Sequence, residues 1–163
     1  MKSEDRGALK ASVRRATVAD APMLARLRYA FRASVGVVSE GKAEFIERCR
    51  LWMAERVGAD DRWRVWVAEQ AGAPVGNLWL QLIEKIPNPT TEPEHHAYVT
   101  NFYVIEAARG QGIGSMLLSV ALSWCETSGV HAVILWPTAQ SRALYLRHGF
   151  AVREDLLELL IAG

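Results

Sequence analysis

The sequence has little cysteine, no long apolar run and almost no net charge, and each shortage excludes a class of protein. Cys49 and Cys125 are its only cysteines, and no Cys-x-x-Cys spacing is present. That excludes a disulfide framework and a zinc knuckle, and it fits a reducing compartment. The most apolar stretch, Ile113 to Cys125, is 13 residues long and broken by Ser115, Ser119 and Ser123. It is too short to span a bilayer. Met1 to Ser12 is polar and has no apolar segment of the signal-peptide kind, so the chain is expected in the cytoplasm. Nineteen Lys and Arg stand against eighteen Asp and Glu, unevenly: residues 1–62 carry a net +4 and residues 63–163 a net −3. Neither half has the basic excess of a general nucleic-acid binder. His95 and His96 are adjacent and point oppositely on a strand, while His131 and His148 stand alone, so no metal-ligand spacing exists. A Gly-x-Ser-x-Gly elbow is also missing, and neither cysteine sits in a catalytic signature.

What remains is a chain of 163 residues, half of them hydrophobic and 23% charged, the make-up of one globular domain. Residues 1–12 read as a tail and 13–163 as the domain. Val13 to Ala16 is a short first strand, and Thr17-x-x-Asp20 followed by Pro22 reads as a helix start. Helices are expected over 20–33 and 42–57, the second stopped by Gly58, with a loop over 34–41 between them. Alternation from Trp63 to Val67, the hairpin signal Ala71-Gly72 and a long return strand over 75–86 follow, with room for a bulge near Gly76. Three prolines make 87–94 a loop. A buried strand over 97–104, a largely buried helix over 110–127 and a buried strand over 130–136 come next. A helix over 138–148, stopped by Gly149, and a last strand over 150–160 complete the order β-α-α-β-β-β-α-β-α-β. The 97–136 unit is expected to be a right-handed parallel crossover and the earlier hairpin antiparallel, which makes a mixed sheet with helices on both faces.

The informative segment is Val104-Ile105-Glu106-Ala107-Ala108-Arg109-Gly110-Gln111-Gly112-Ile113-Gly114-Ser115. A buried strand ends, and an arginine and three glycines open a long apolar helix. Glycines let backbone amides approach a ligand closely, and the first amides of a helix carry partial positive charge, so the segment reads as an anion cradle. Three readings compete: a close-packed helix start, a dinucleotide fingerprint, and a coenzyme A pyrophosphate site. Ser115 stands where the dinucleotide fingerprint has its third glycine, and the next strand ends in Leu-Trp-Pro without an acidic residue. A P-loop would need a Gly-Lys pair, which is missing.

Arg109-Gly110-Gln111-Gly112-Ile113-Gly114 resembles motif A of the GNAT superfamily of N-acetyltransferases, Gln/Arg-x-x-Gly-x-Gly/Ala. Ala143-Leu144-Tyr145-Leu146-Arg147-His148-Gly149-Phe150 is similar to its motif B, Leu-Tyr-x-x-x-Gly-Phe. With Arg14 to Asp20 resembling the usual first strand and helix start, the likeness covers residues 13–153. Glu106 and Ala108 depart from the common Pro and Tyr of the bend, and Thr138 replaces a common Asn. The resemblance implies an α/β fold with a central mixed sheet of six to seven strands, splayed between the fourth and fifth, and helices on both faces. It implies acetyl-CoA as co-substrate, without a metal. The backbone of Phe102, Tyr103 and Val104 would meet the pantetheine arm, and Arg109, Gly110, Gln111, Gly112, Ile113, Gly114 and Ser115 the pyrophosphate. Tyr145 would be the acid that protonates the leaving thiolate after direct attack by an amine in a ternary complex. The acceptor is expected to be a small-molecule or peptide amine, and the chain a homodimer without membrane or nucleic-acid partners. The alternative is a catalytically idle acyl-CoA-binding module. No general base stands out; Tyr98, Thr100 and Asn101 offer relay positions, and Glu40, Glu92 and Glu94 give the loops 34–41 and 87–96 an acidity suited to a cationic amine.

Overall fold

Alternating apolar side chains and a tight turn at Ala71-Gly72 help build a five-stranded sheet in a computed structural model that describes residues 10–59 and 61–161. Its strands are β1 (Ala11–Arg15), β2 (Trp63–Gln70), β3 (Ala73–Glu84), β4 (His95–Val104) and β5 (Val130–Ile134), in that spatial order. The first four are antiparallel, and β5 joins β4 in parallel. Four helices surround the sheet: α1 (Ala21–Ser34), α2 (Lys42–Gly58), α3 (Ile113–Thr127) and α4 (Arg142–Arg147). One face of the sheet (Trp66, Ala68, Leu78, Leu80, Ala97, Val99) packs on Leu117, Leu118 and Ala121 of α3. On the other, Val65, Val67 and Trp79 pack on Leu24 and Ala25 of α1 and Met53 of α2. None of the described helices is long and apolar enough to cross a membrane.

The entry to α1 is fixed locally. Thr17 N–H donates to the Asp20 carboxylate at 2.7 Å, and Pro22 occupies the first turn of the helix. Arg14 of β1 then forks onto Asp20, with both contacts at 2.8 Å, and also reaches Glu69 of β2 at 2.7 Å. Strand, turn and helix are thereby tied at one point.

Two register shifts shape the sheet. Ala68 pairs with Gly76 and Glu69 with Pro74, which leaves Val75 as the extra residue near the start of β3. In the second, Leu80 pairs with Val99 but Trp79 with Asn101, so Thr100 has no partner on β3. The extra residue moves the alternation of β4 by one: Ala97 and Val99, then Phe102 and Val104, all pack toward α3. The β4–β5 ladder runs only from His95 to Tyr98. Beyond Tyr98, β4 continues to Val104 with no strand on that side among the described residues.

The sequence expectation of six to seven strands is corrected to five. Residues 150–160 form no strand, and Leu157, Leu160 and Ile161 are 93%, 76% and 87% exposed. Their apolar residues cluster as Leu156-Leu157 and Leu159-Leu160 instead of alternating, so no single strand face collects them. β5 therefore keeps one unpaired edge among the described residues, and it ends at Ile134, two residues short of the expected strand. Ile134 and Trp136, read as buried, are 40% and 52% exposed. The expected helix over 138–148 is reduced to Arg142–Arg147, and the one over 110–127 begins at Ile113 because the glycines before it form a loop. Its outer side, with Met116 and Val120, is exposed rather than buried. Of the expected tail, residues 1–9 lie outside the described residues, and Ala11 and Ser12 belong to β1, paired with Gln70 and Glu69.

Candidate active site

Where β4 and β5 part, the unpaired half of β4 faces the start of α3 and the side of α4. A cavity of about 400 Å³ opens between them. Phe102, Tyr103, Val104, Arg109, Gly110, Gly112, Ile113, Gly114, Ser115 and Tyr145 all line it. Gln111 does not: its side chain accepts from Gln70 at 2.8 Å and donates to the Ala107 carbonyl at 3.2 Å.

The loop before α3 has the backbone of an anion cradle. Gly110 and Gly112 have φ of +72° and +80°, which disfavours any side chain, and a Cβ on either would meet nothing within 4 Å. The first helical bond runs from Met116 N–H to the Gly112 carbonyl at 3.0 Å. The amides of Ile113, Gly114 and Ser115 therefore lack an intrahelical acceptor and point out of the helix start beside the cavity. Arg109 stands next to them with Nε bonded to the Val104 carbonyl at 2.9 Å and its guanidinium 5.6 Å from the Tyr103 ring. Ser115 links the two motif regions: its hydroxyl lies 3.0 Å from His148 Nε2, while His148 Nδ1 lies 2.9 Å from the Leu144 carbonyl. Thr138 caps the approach to α4, accepting from Ser141 N–H at 3.2 Å, and also lines the cavity.

Tyr145 is 7% exposed, with its ring between Phe102 at 6.1 Å and Phe150 at 5.5 Å. Burial pushes its phenol up to about 12, and the Ser141 hydroxyl counteracts this only in part. Tyr145 is thus a proton donor throughout the neutral range, in contact with the cavity.

Thr100, one of the expected relay positions, borders the space. Other lining residues carried no signal in the sequence: Phe31 of α1 stacks on Tyr103 at 5.2 Å with 21° between the rings, and Trp136, Gln140 and Arg147 also border the cavity. Their neighbours in space come from other elements, and no local pattern announces them. Behind β4, Asn101 and Asn77 are both buried and share a hydrogen bond of 3.2 Å. Arg28 Nη1 approaches Asn101 Oδ1 at 3.4 Å. Tyr98 packs edge-on against Trp136 at 5.0 Å.

The expected loop acidity is not found at this site. Glu40 is bound to Arg48 at 2.5 Å, and Glu92 to Lys85 at 2.8 Å; each carboxyl is held below its usual range chiefly by that cation. Residues 87–94 lie by the opposite end of β4, where Lys85 N–H donates to the Glu94 carbonyl at 2.7 Å, and they do not line the cavity.

Comparison with known proteins fits this geometry. Residues 28–150 match the profile of the acetyltransferase (GNAT) family. A crystal structure of a GCN5-related N-acetyltransferase from Ralstonia eutropha JMP134 is 26% identical, with a TM-score of 0.77, covering 94% of this chain and all of that one. A predicted acetyltransferase with acetyl-CoA from Clostridium acetobutylicum is 20% identical, with a TM-score of 0.79 over 93% of this chain and 97% of that one. An aminoglycoside acetyltransferase from an uncultured soil metagenomic sample, in complex with trehalose, is 17% identical, with a TM-score of 0.71 over 93% and 95% of the two chains. No match is found among curated proteins. Fold and profile together define an acetyltransferase-type α/β protein. The chain belongs to the GNAT acetyltransferase family.

Proposed function

We propose that the chain transfers the acetyl group of acetyl-CoA to an amine by direct attack in a ternary complex. The observation that carries this reading is the continuity of the cavity, which joins the unpaired backbone of β4, the free amides of α3 and the Tyr145 phenol. An extended pantetheine arm matches the open edge of Phe102, Tyr103 and Val104, because strand-like amides there lack a neighbouring strand. The pyrophosphate matches the helix start and Arg109. As the amine nitrogen attacks the thioester carbonyl carbon, the carbon–sulfur bond breaks and the sulfur takes the electron pair. Tyr145 then gives its proton to that sulfur, while the attacking nitrogen sheds its surplus proton to water and the phenolate regains one from the same solvent. The phenol, with a pKa near 12, keeps its proton until this charge develops.

A reducing compartment such as the cytoplasm suits Cys49 and Cys125, which are both unpaired. The free edge of β5 and the exposed apolar side chains at 156–161 support a homodimer. The acetyl-transfer reading is tested by calorimetry with acetyl-CoA and by thiol release over a panel of amines. Binding with turnover on at least one amine is the expected result. Binding without turnover on any amine would favour the idle module, and no binding would overturn both.

A further inference from the structure

A second cavity, of about 220 Å³, lies on the arginine side of Phe31 and is lined by Arg28, Arg32, Tyr29, Phe45 and residues 37–40. Arg28 and Arg32 are one helical turn apart on α1, and each guanidinium carbon stands 5.8 Å from the Phe31 ring centroid. Phe31 also stacks on Tyr103 and lines the first cavity, so one ring borders that space and lies within 5.8 Å of both guanidinium groups of the second.

The charge in this second cavity is unbalanced. Among the described residues no carboxylate lies within ion-pair distance of Arg28 or Arg32. The nearest polar contact of Arg28 is the neutral Asn101 oxygen, at 3.4 Å. Burial, and secondly the like charge of Arg32, push the Arg28 pKa down. Glu40, the carboxylate in the lining, is engaged by Arg48. Two guanidinium groups lining one cavity without a carboxylate partner, one of them half-buried, are an unfavourable arrangement that an anion would relieve.

We propose that the acceptor amine carries an oxyanion, such as a carboxylate, which Arg28 and Arg32 receive in this cavity while the nitrogen reaches past Phe31 toward β4. This rests on the acetyl-transfer reading and names the class of its acceptor. A guanidinium presents two parallel N–H donors that match a carboxylate or phosphate edge, and it fixes direction as well as charge. The same pair repels a polycation.

The test uses thiol release from acetyl-CoA with matched acceptors. Amino acids and dipeptides are presented as free carboxylates and as carboxamides, beside phosphoethanolamine and kanamycin. Expected is a kcat/KM at least roughly 10-fold higher for the anionic member of each pair, with kanamycin poor. Phosphoethanolamine against the amino acids shows whether the oxyanion is phosphate or carboxylate. Arg28→Gln and Arg32→Gln should each erase the preference through acceptor KM while the KM for acetyl-CoA holds, and Arg28→Lys should restore part of it. Melting temperatures with the same compounds and bound coenzyme A give a readout without turnover. There, a rise for anionic members alone, cancelled by Arg28→Gln, supports the proposal even if no acetyl transfer is seen, an outcome that would count only against the acetyl-transfer reading. Equal response to acid and amide, or a preference for kanamycin, overturns it.

Discussion

At Tyr145 one oxygen atom separates packing from chemistry. Tyr145→Phe keeps the ring between Phe102 and Phe150 but removes the donor. The expected result is a fall in kcat on the order of 10²–10⁴-fold with little change in acetyl-CoA affinity, read by steady-state kinetics and calorimetry. The same phenol makes a pH prediction. Its folded pKa of about 12 lies above the ordinary 10, so its contribution is complete below pH 10 and is lost as pH rises through 12. Denaturant unfolding from pH 9 to 12 should show wild type losing roughly 2 kcal/mol more than Tyr145→Phe by pH 12, at 1.36 kcal/mol per unit. Cys125, raised to about 11 by burial, loses stability in both proteins and cancels in the comparison. Residues such as Tyr145 and Gly112 were legible because each belongs to a short pattern with a backbone reason behind it. Which arginine of α1 meets β4, and that Phe31 lines the cavity, were not, because α1 meets β4 only in the folded chain, and nothing local distinguishes Arg28 from the exposed Arg26.

Among the elements, the start of α3 and the clamp before α1 make opposite demands on the chain. At Gly112 any side chain is strained by a φ of +80°, whereas a Cβ at Gly114 would make ordinary contacts of 3.5 Å with Leu144 and 3.6 Å with Phe102. Gly112→Ala should therefore lower both the melting temperature and acetyl-CoA affinity, by roughly 1–2 kcal/mol in stability. Gly114→Ala should leave the melting temperature level or raise it. A thermal melt and a calorimetric titration of each variant check the contrast. At the clamp, Arg14 holds Asp20 down to about 2, so the pair stabilises the fold above pH 4 and its contribution is lost as pH falls through 2. Asp20→Asn should cost about 1–2 kcal/mol at pH 7, discounted because Arg14 is partly exposed, and should flatten the acid limb of the unfolding profile. Most elements were readable from periodicity and caps. The last strand was not, since a strand at 150–160 requires a partner edge and a face, and neither is written in Leu-Leu-Glu-Leu-Leu.

For the whole molecule, the open side of β5 is the largest departure from a sealed sheet. A groove of about 610 Å³ runs along it, lined by Val133, Leu135, Leu146, Phe150 and Leu156. Backbone groups on a free edge and apolar side chains beside it favour pairing with a second copy. Light scattering after size exclusion should give twice the 18.1 kDa of one chain. A mass of 18.1 kDa at tens of micromolar would count against the dimer. Lys substitutions at Leu157 and Leu160 should shift any dimer toward monomer without changing acetyl-CoA binding.

Thr100 stands outside both ladders: β3 pairs Val99 and Asn101 around it, and β5 has already stopped at Tyr98. Removing it would leave Val99, Asn101, Phe102 and Tyr103 alternating without interruption against Leu80, Trp79, Leu78 and Asn77, every side chain still on its present face. A single-codon deletion in mid-strand, ordinarily ruinous, is thus expected here to fold, with a melting temperature equal to or above that of wild type. What it should lose is the rise in melting temperature on adding acetyl-CoA, because a straightened β4 could run alongside β5 and close the opening. A variant that folds as well as wild type yet no longer responds to acetyl-CoA would separate sheet regularity from binding.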